Sequence, residues 1–291
     1  MKYMITHTTT YTYSEPASLS QNEVFLTPRE IPTQKVSKNR LTIVPEPQYL
    51  KRQTDYFGNL SHIFMVQQSH NTLSMTAQSE VETMTPVAPP PDQTPSFETV
   101  AMGLEACENP SDLAAYQYVF ASPLISIPPG IKDFAQVSFP PGTPVLKGAV
   151  DLMGRIFTDF TYDKSATTVD TPVEQVLAKR KGVCQDFAHF AISCLRSLGL
   201  SARYVSGYLE TIPPPGKPKL IGSDASHAWI SVFVPNAGWV DLDPTNNLFS
   251  GEKHICLAWG RDYGDVTPVK GVVMGGGIHT LSVKVDVSSQ A

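Results

Sequence analysis

The spacing of apolar residues changes partway along the chain. From Lys2 to about Thr85, β-branched and aromatic residues alternate with polar ones in short runs such as "YMITHTTTYTY", "NRLTIVPEP", "HIFMVQQ" and "TLSMTAQSEVET". A period of two, rich in Thr, Val, Ile and Tyr, predicts strands with one buried face. "PVAPPPDQTPSFE", Pro86 to Glu98, then withholds backbone donors and predicts a stiff extended connector. Beyond it the period becomes helical. "PVLKGAVDLMGRIFTDF" carries apolar residues three and four apart, and "TPVEQVLAKRKG" predicts a short helix with Thr171 as N-cap, Pro172 at the first position and an end at Gly182. A third helix begins near Cys184 in "GVCQDFAHFAISCLRSLGL", with Phe187, Phe190, Ala191, Cys194, Leu195 and Leu198 on one stripe. Strands return in "ARYVSGYLE", "HAWISVFV" and "GWVDLD", and "GVVMGGGIHTLSVKVDV" reads as two strands around a glycine turn.

These elements predict an α+β fold with a β-rich N-terminal domain, residues 1–95, and a core of helices packed on an antiparallel sheet, residues 96–291, ending in a β-hairpin tail. A length of 291 residues suits two domains. Lys and Arg total 22 against 27 for Asp and Glu, a net charge of −5 that serves solubility and argues against a nucleic-acid partner. No run of eighteen apolar residues points to a membrane span, and the N-terminus lacks a signal-peptide pattern. Cys107, Cys184, Cys194 and Cys256 are widely spaced with no CxxC pair, which suggests neither a zinc site nor a disulfide framework. A reducing cytoplasm is the expected location, with no cofactor or metal.

Candidate chemistry centres on Cys184. A helix start leaves free N–H groups and a partial positive charge, which favour a thiolate and can receive an oxyanion formed beside the sulfur. Cys194, mid-helix on the apolar stripe, reads as core. A cysteine nucleophile needs a base, and the base an orienting acceptor. His189 lies five residues after Cys184, about 140° around a helix, and points away. In "HAWISVFV", Ala228, Ile230, Val232 and Val234 form one face and leave His227 and Trp229 on the other; in "GWVDLD", Trp239, Asp241 and Asp243 share the face opposite Val240 and Leu242. Pairing the apolar faces puts His227 and both aspartates on one wall. A three-residue "NAG" turn, however, sets Ser231 against Asp243 and leaves His227 roughly 13 Å too far along, so a shifted turn or irregular pairing is required.

"GVCQDFAHF", "SDASHAWISVFV" and "GWVDLDPTNN" together resemble the transglutaminase-like core, a relative of the papain-type cysteine peptidases, in its bacterial branch. "THTTTYTYSEPASLSQNEVFLTPRE" with "DYFGN" resembles that branch's β-rich N-terminal region, and "HICLAWGRDYGDVTPVKG" its tail. The resemblance implies a papain-like core and a catalytic triad of Cys184, His227 and Asp243. It further implies acyl transfer on a peptide or protein amide through a thioester. Peptidase or amidase activity is preferred over protein cross-linking because nothing in the sequence marks an amine-binding site and water is the default acceptor, and an intact triad argues against a non-catalytic peptide-binding role. Nothing resembles the calcium-binding parts of animal tissue transglutaminases. Tyr162 is a candidate second oxyanion donor. "GRDYGDV" reads as a structural Arg–Asp network, and the proline loop of residues 211–220 as a connector that could border the substrate groove.

Overall fold

The computed structural model describes residues 1–210 and 226–290; the proline loop of residues 211–220 lies outside them. Strand β1 (Lys2–Val24) is the axis of the N-terminal sheet, and its burial alternates as its sequence does, with Tyr3, Ile5, His7 and Thr9 turned inward. Strands β2 (Gln34–Val44), β3 (Tyr49–Thr54), β4 (Leu60–Val66) and β5 (His70–Thr83) give the order β2-β5-β1-β4-β3. Proline-rich chain then leads into four helices, α1 (Phe97–Ala106), α2 (Pro110–Tyr116), α3 (Ile131–Ser138) and α4 (Val145–Asp159). Ser96 and Asn109 cap α1 and α2 by accepting the N–H groups of Thr99 and Asp112.

Next come β6 (Thr161–Tyr162), α5 (Val173–Lys179), β7 (Lys181–Gly182) and α6 (Cys184–Ser197). Helix α5 is shorter than its sequence predicts. The Thr171 hydroxyl turns back to accept the Thr168 N–H instead of capping the helix, and Arg180 takes a left-handed conformation at φ 51°. Lys181 and Gly182 then leave the helix to pair in parallel with β6. Helix α6 is buried on every side: His189, Ser193 and Arg196 are enclosed along with the apolar stripe. Arg196 is satisfied by the carbonyls of Tyr118, Ala202 and Arg261 and by the Ser122 hydroxyl.

Helix α6 packs against an antiparallel sheet of β8 (Ala202–Leu209), β9 (Ser226–Val234), β10 (Gly238–Asp243), β11 (Leu248–Phe249) and β12 (His254–Gly260), ordered β11-β10-β9-β8-β12. The last strands are β13 (Val269–Gly275) and β14 (His279–Gln290). They do not form the expected hairpin. Both run antiparallel to β1, β13 against Ala17–Val24 and β14 against Lys2–Tyr13, as one edge with a kink. Gly275, Gly276 and Gly277, all at positive φ, supply that kink where β1 itself is irregular between Thr12 and Ala17. The tail thus completes the N-terminal sheet. Tyr3, Ile5, Val81, Val285 and Val287 share one apolar cluster with Phe187, Phe190 and Ile230, so the two parts bury a common core.

Side-chain amides seal the junction. Gln34 bonds the Cys256 backbone N–H and carbonyl, both at 2.8 Å, while Asn59 bonds those of Trp259 at 2.9 and 2.8 Å. The open edge of β12 is therefore paired as another strand would pair it. Both amides are buried. Asn59→Leu strands the Trp259 backbone donor and acceptor, and Gln34→Leu strands the Cys256 N–H while the Cys256 carbonyl keeps the Arg29 N–H; each is expected to cost roughly 1–4 kcal/mol, the asparagine change more, measured by urea unfolding.

Candidate active site

Cys184 is the first residue of α6 and is partly exposed. The preceding chain is fixed by Asp186, whose carboxylate accepts the Val183 N–H at 2.7 Å and the Thr167 hydroxyl at 2.6 Å. Gly182 must lack a side chain because a Cβ there would sit 2.7 Å from Asp186. Burial holds the Asp186 carboxyl above its ordinary range, against those two bonds. The first intrahelical bond of α6 runs from the Phe187 N–H to the Val183 carbonyl, so the N–H groups of Cys184, Gln185 and Asp186 have no acceptor within the helix. Tyr162, on the strand paired with β7, is half exposed; burial, then the nearby charges of Cys184 and Asp186, push its phenol up.

The sheet brings His227 and Asp243 together through a register two residues removed from the one a simple turn gives. Gly238, not Trp239, opens β10 opposite Val234, so Leu242 pairs with Ile230 and Asp241 with Ser231. Asn236 at φ 65° and Gly238 at φ 80° make this three-residue loop possible. Extending the register sets Asp243 against Trp229 and His227 on the diagonal, where a long side chain still reaches. His227 Nε2 lies 2.7 Å from Asp243 Oδ2. Its other ring nitrogen remains for Cys184, whose side chain interacts with the imidazole.

Asp243 is fully buried and saturated with donors. Oδ1 accepts the N–H groups of Thr245 and Asn246; Oδ2 accepts the Asn246 side chain at 2.7 Å and faces His254 Nε2 at 3.1 Å besides His227. Burial raises the Asp243 carboxyl, but the bonds from His227 and His254 outweigh it and hold the group well below its usual range. For His227, burial disfavours the charged form, yet the bonds and charges of Asp243 and Cys184 prevail and push it up to about 10. Below pH about 6.5 the folded and unfolded imidazoles are both protonated, so this stabilisation is full; it fades as the pH climbs toward 10. The melting-temperature gap between wild type and His227→Gln is therefore expected to be largest near pH 5–6 and to close by about pH 10.

His254 and Asn246 escaped sequence reasoning. Neither lies in a strand face that places it near Asp243; the "DPTNN" turn and the start of β12 bring them there. His227, Asp243 and His254 hold potential ligand atoms within 4.8 Å of one another, a spacing that metal sites use. The hydrogen bonds favour a different state. His254 Nδ1 accepts the Gly251 N–H, so its proton resides on Nε2, which donates to Asp243 and has no lone pair for a metal.

The remaining candidates fall outside this constellation. His189 is buried, accepts the Tyr263 N–H through Nε2 and is lowered to about 4 by burial. Cys194 is core, its thiol driven up by burial. Asp241 takes the Trp229 indole N–H at 2.9 Å rather than His227. In "GRDYGDV", Arg261 pairs doubly with Asp265, while Asp262 accepts the N–H groups of Leu124 and Gly264. That segment is a structural network.

The fold and this convergence define a class: an α+β protein in which a cysteine at a helix start meets a histidine–carboxylate pair on an antiparallel sheet. The description "Transglutaminase-like superfamily" matches residues 134–244, and "Bacterial transglutaminase-like N-terminal region" matches residues 3–82. The chain belongs to the transglutaminase-like superfamily, in its bacterial branch. An uncharacterized protein of Mycobacterium tuberculosis is 41% identical over 98% of this chain and 92% of its own. A protein-glutamine gamma-glutamyltransferase of Pseudomonas aeruginosa is 32% identical over 30% of this chain and 13% of its own. The crystal structure of a Cytophaga hutchinsonii protein, provisionally assigned as a cysteine protease, covers 100% of this chain and 91% of that one at a TM-score of 0.78 and 20% identity, a likeness of fold. Among the described residues no helix is long and apolar enough to cross a membrane.

Proposed function

We propose that this protein is a cysteine-dependent acyl-transfer enzyme that opens an amide bond of a peptide or protein through a thioester on Cys184. The observation that supports it best is the placement of His227 between Asp243 and Cys184, with the imidazole favoured in its charged form. The thiolate attacks the amide carbonyl, and the C=O electron pair moves to oxygen, where the N–H groups at the start of α6 receive it. His227 delivers its proton to the departing nitrogen as the C–N bond breaks. Water then attacks the thioester, His227 takes the proton back, and the carboxylic acid leaves with the thiolate restored. Asp243 orients the ring and stabilises its charge throughout. Tyr162 is the proposed second oxyanion donor. The four unpaired cysteines favour a reducing, cytoplasmic setting.

A second reading, transfer to an amine, draws on the gamma-glutamyltransferase relative. The two separate when ammonia release from a glutamine peptide is followed with and without an added primary amine. Hydrolysis predicts release unaffected by the amine and a deamidated product; amine incorporation well above the hydrolytic rate would replace this reading with the cross-linking one. Absence of either product, with Cys184→Ser leaving function intact, would point to a non-catalytic peptide-binding module.

His254 enters as a positioning residue through its bond to Asp243. His254→Ala is expected to lower kcat roughly tenfold with KM nearly unchanged and to raise the upper pKa of the pH–rate profile, because Asp243 loses a donor on the oxygen it presents to His227 and its carboxylate then favours the charged imidazole more strongly. An unchanged profile would leave His254 a purely structural role.

A further inference from the structure

On the face of the core sheet that carries His227, three residues line up across neighbouring strands: Arg203 and Asp241 each pair in register with Ser231. Arg203 is buried, and its surroundings are unusual for a buried cation. Its guanidinium carbon lies 3.7 Å from the Trp259 ring centroid and 4.3 Å from that of Trp239, and its Nε has no hydrogen-bond partner. Arg29 stacks on the same Trp259 ring at 3.5 Å and adds a second positive charge. Among the described residues no carboxylate forms an ion pair with Arg203, although Asp241 is close enough for its charge to act on it. Asp241 already receives the Trp229 indole N–H. A buried, aromatic-flanked guanidinium without a fixed acceptor costs folding free energy unless something else supplies that acceptor.

The space beside it is suited to do so. A cavity of about 660 Å³ is lined by Arg203, Trp239, Asp241 and Trp259 from the sheet side, and by the Ile31–Thr33 turn and the 86–88 connector on the other. Ser250, also on its wall, buries a hydroxyl that has no partner. Neither Cys184 nor His227 lines this cavity, so it is separate from the proposed acylation site. We infer that it binds a small monoanion with a flat apolar body, in chemical class an aryl carboxylate. The carboxylate bonds the Arg203 guanidinium and the Ser250 hydroxyl, and the ring lies among Trp239, Trp259, Phe249 and the connector. A single negative charge fits better than a phosphate dianion, because Asp241 offsets one of the two guanidinium charges on Trp259, those of Arg203 and Arg29, and most of the wall is apolar. Trp229 links the site to the triad, bonding Asp241 at one end while its ring lies 6.0 Å from that of His227.

All three tryptophans of the chain, Trp229, Trp239 and Trp259, lie on or behind this wall, so intrinsic fluorescence reports occupancy directly. The full chain is titrated with phenylacetate, neutral phenylacetamide and inorganic sulfate. The expected result is a saturable change with phenylacetate in the low-millimolar range or below, at least about tenfold weaker binding of phenylacetamide, and none of sulfate. Arg203→Met is expected to abolish the change. Because that variant removes a buried side chain, Ala237→Leu serves as a second: Ala237 is an exposed residue of the cavity rim, and the larger side chain narrows the entrance without touching the guanidinium. It is expected to weaken phenylacetate at least about fivefold while the rate of Cys184 alkylation by iodoacetamide stays at the wild-type value. No saturable response to phenylacetate, equal binding of phenylacetamide or sulfate, or undiminished binding in Ala237→Leu would overturn the assignment.

Discussion

Cys184→Ala is expected to lower amide turnover by at least about 10⁴-fold while leaving folding intact, measured by product release from a glutamine peptide alongside thermal melting. The effect is large because the substitution removes the one atom that bonds to the acyl group; the helix start, the base and the orienting carboxylate all remain. Folding survives because Cys184 is partly exposed, and the chain entering α6 is held by Asp186 and Thr167 rather than by the sulfur. Cys107 serves as a control: it is also partly exposed, its thiol donates to the Leu104 carbonyl, and Cys107→Ala is expected to leave turnover unchanged.

Asp243→Asn is expected to strike both stability and activity. The carboxylate takes the N–H groups of Thr245 and Asn246 on one oxygen and gathers His227, His254 and the Asn246 side chain on the other. An asparagine offers a single oxygen. Whichever way its amide is turned, the NH₂ end confronts donors, either the two backbone groups or the three side chains. Loss of a buried charge with these partners is expected to cost roughly 3–5 kcal/mol in urea unfolding. Turnover is expected to fall about 10²–10⁴-fold, because His227 loses both the group that aims it and the charge that favours its protonated form. Preserved stability with unimpaired turnover would show that the carboxylate does not orient the imidazole.

The sequence carried the site's parts more clearly than their assembly. A cysteine at a helix start and the alternation that puts His227 and Asp243 on one wall are local features, and local pattern revealed them. The register joining them was not local. It depends on Asn236 and Gly238 adopting left-handed conformations, which the letters "PNAG" permit without requiring. The glycine-rich tail poses the same problem in another form. Three successive glycines signal a change of direction, but whether it becomes a hairpin or a kink is decided by β1, some 260 residues earlier in the chain. Helix α2 was visible in principle, since Asn109-Pro110 is a cap followed by a proline at the first helical position. Helices α1 and α3 are short and lie among proline-rich connectors, where the 3.6-residue period has little length in which to show. His254 and Asn246 became apparent only in three dimensions, because their role comes from sharing one oxygen atom with His227.

A sulfur, an imidazole and a carboxylate, supplied by three separate segments, must act as one charged unit for this description to hold. The second-order rate of Cys184 alkylation by iodoacetamide at pH 6, with the adduct located by mass spectrometry, measures this in wild type and in His227→Gln. A wild-type rate at least about tenfold higher is the predicted result, since a protonated imidazole beside the sulfur favours the reactive thiolate at a pH where an isolated thiol is almost wholly protonated. Equal rates in the two proteins would contradict it.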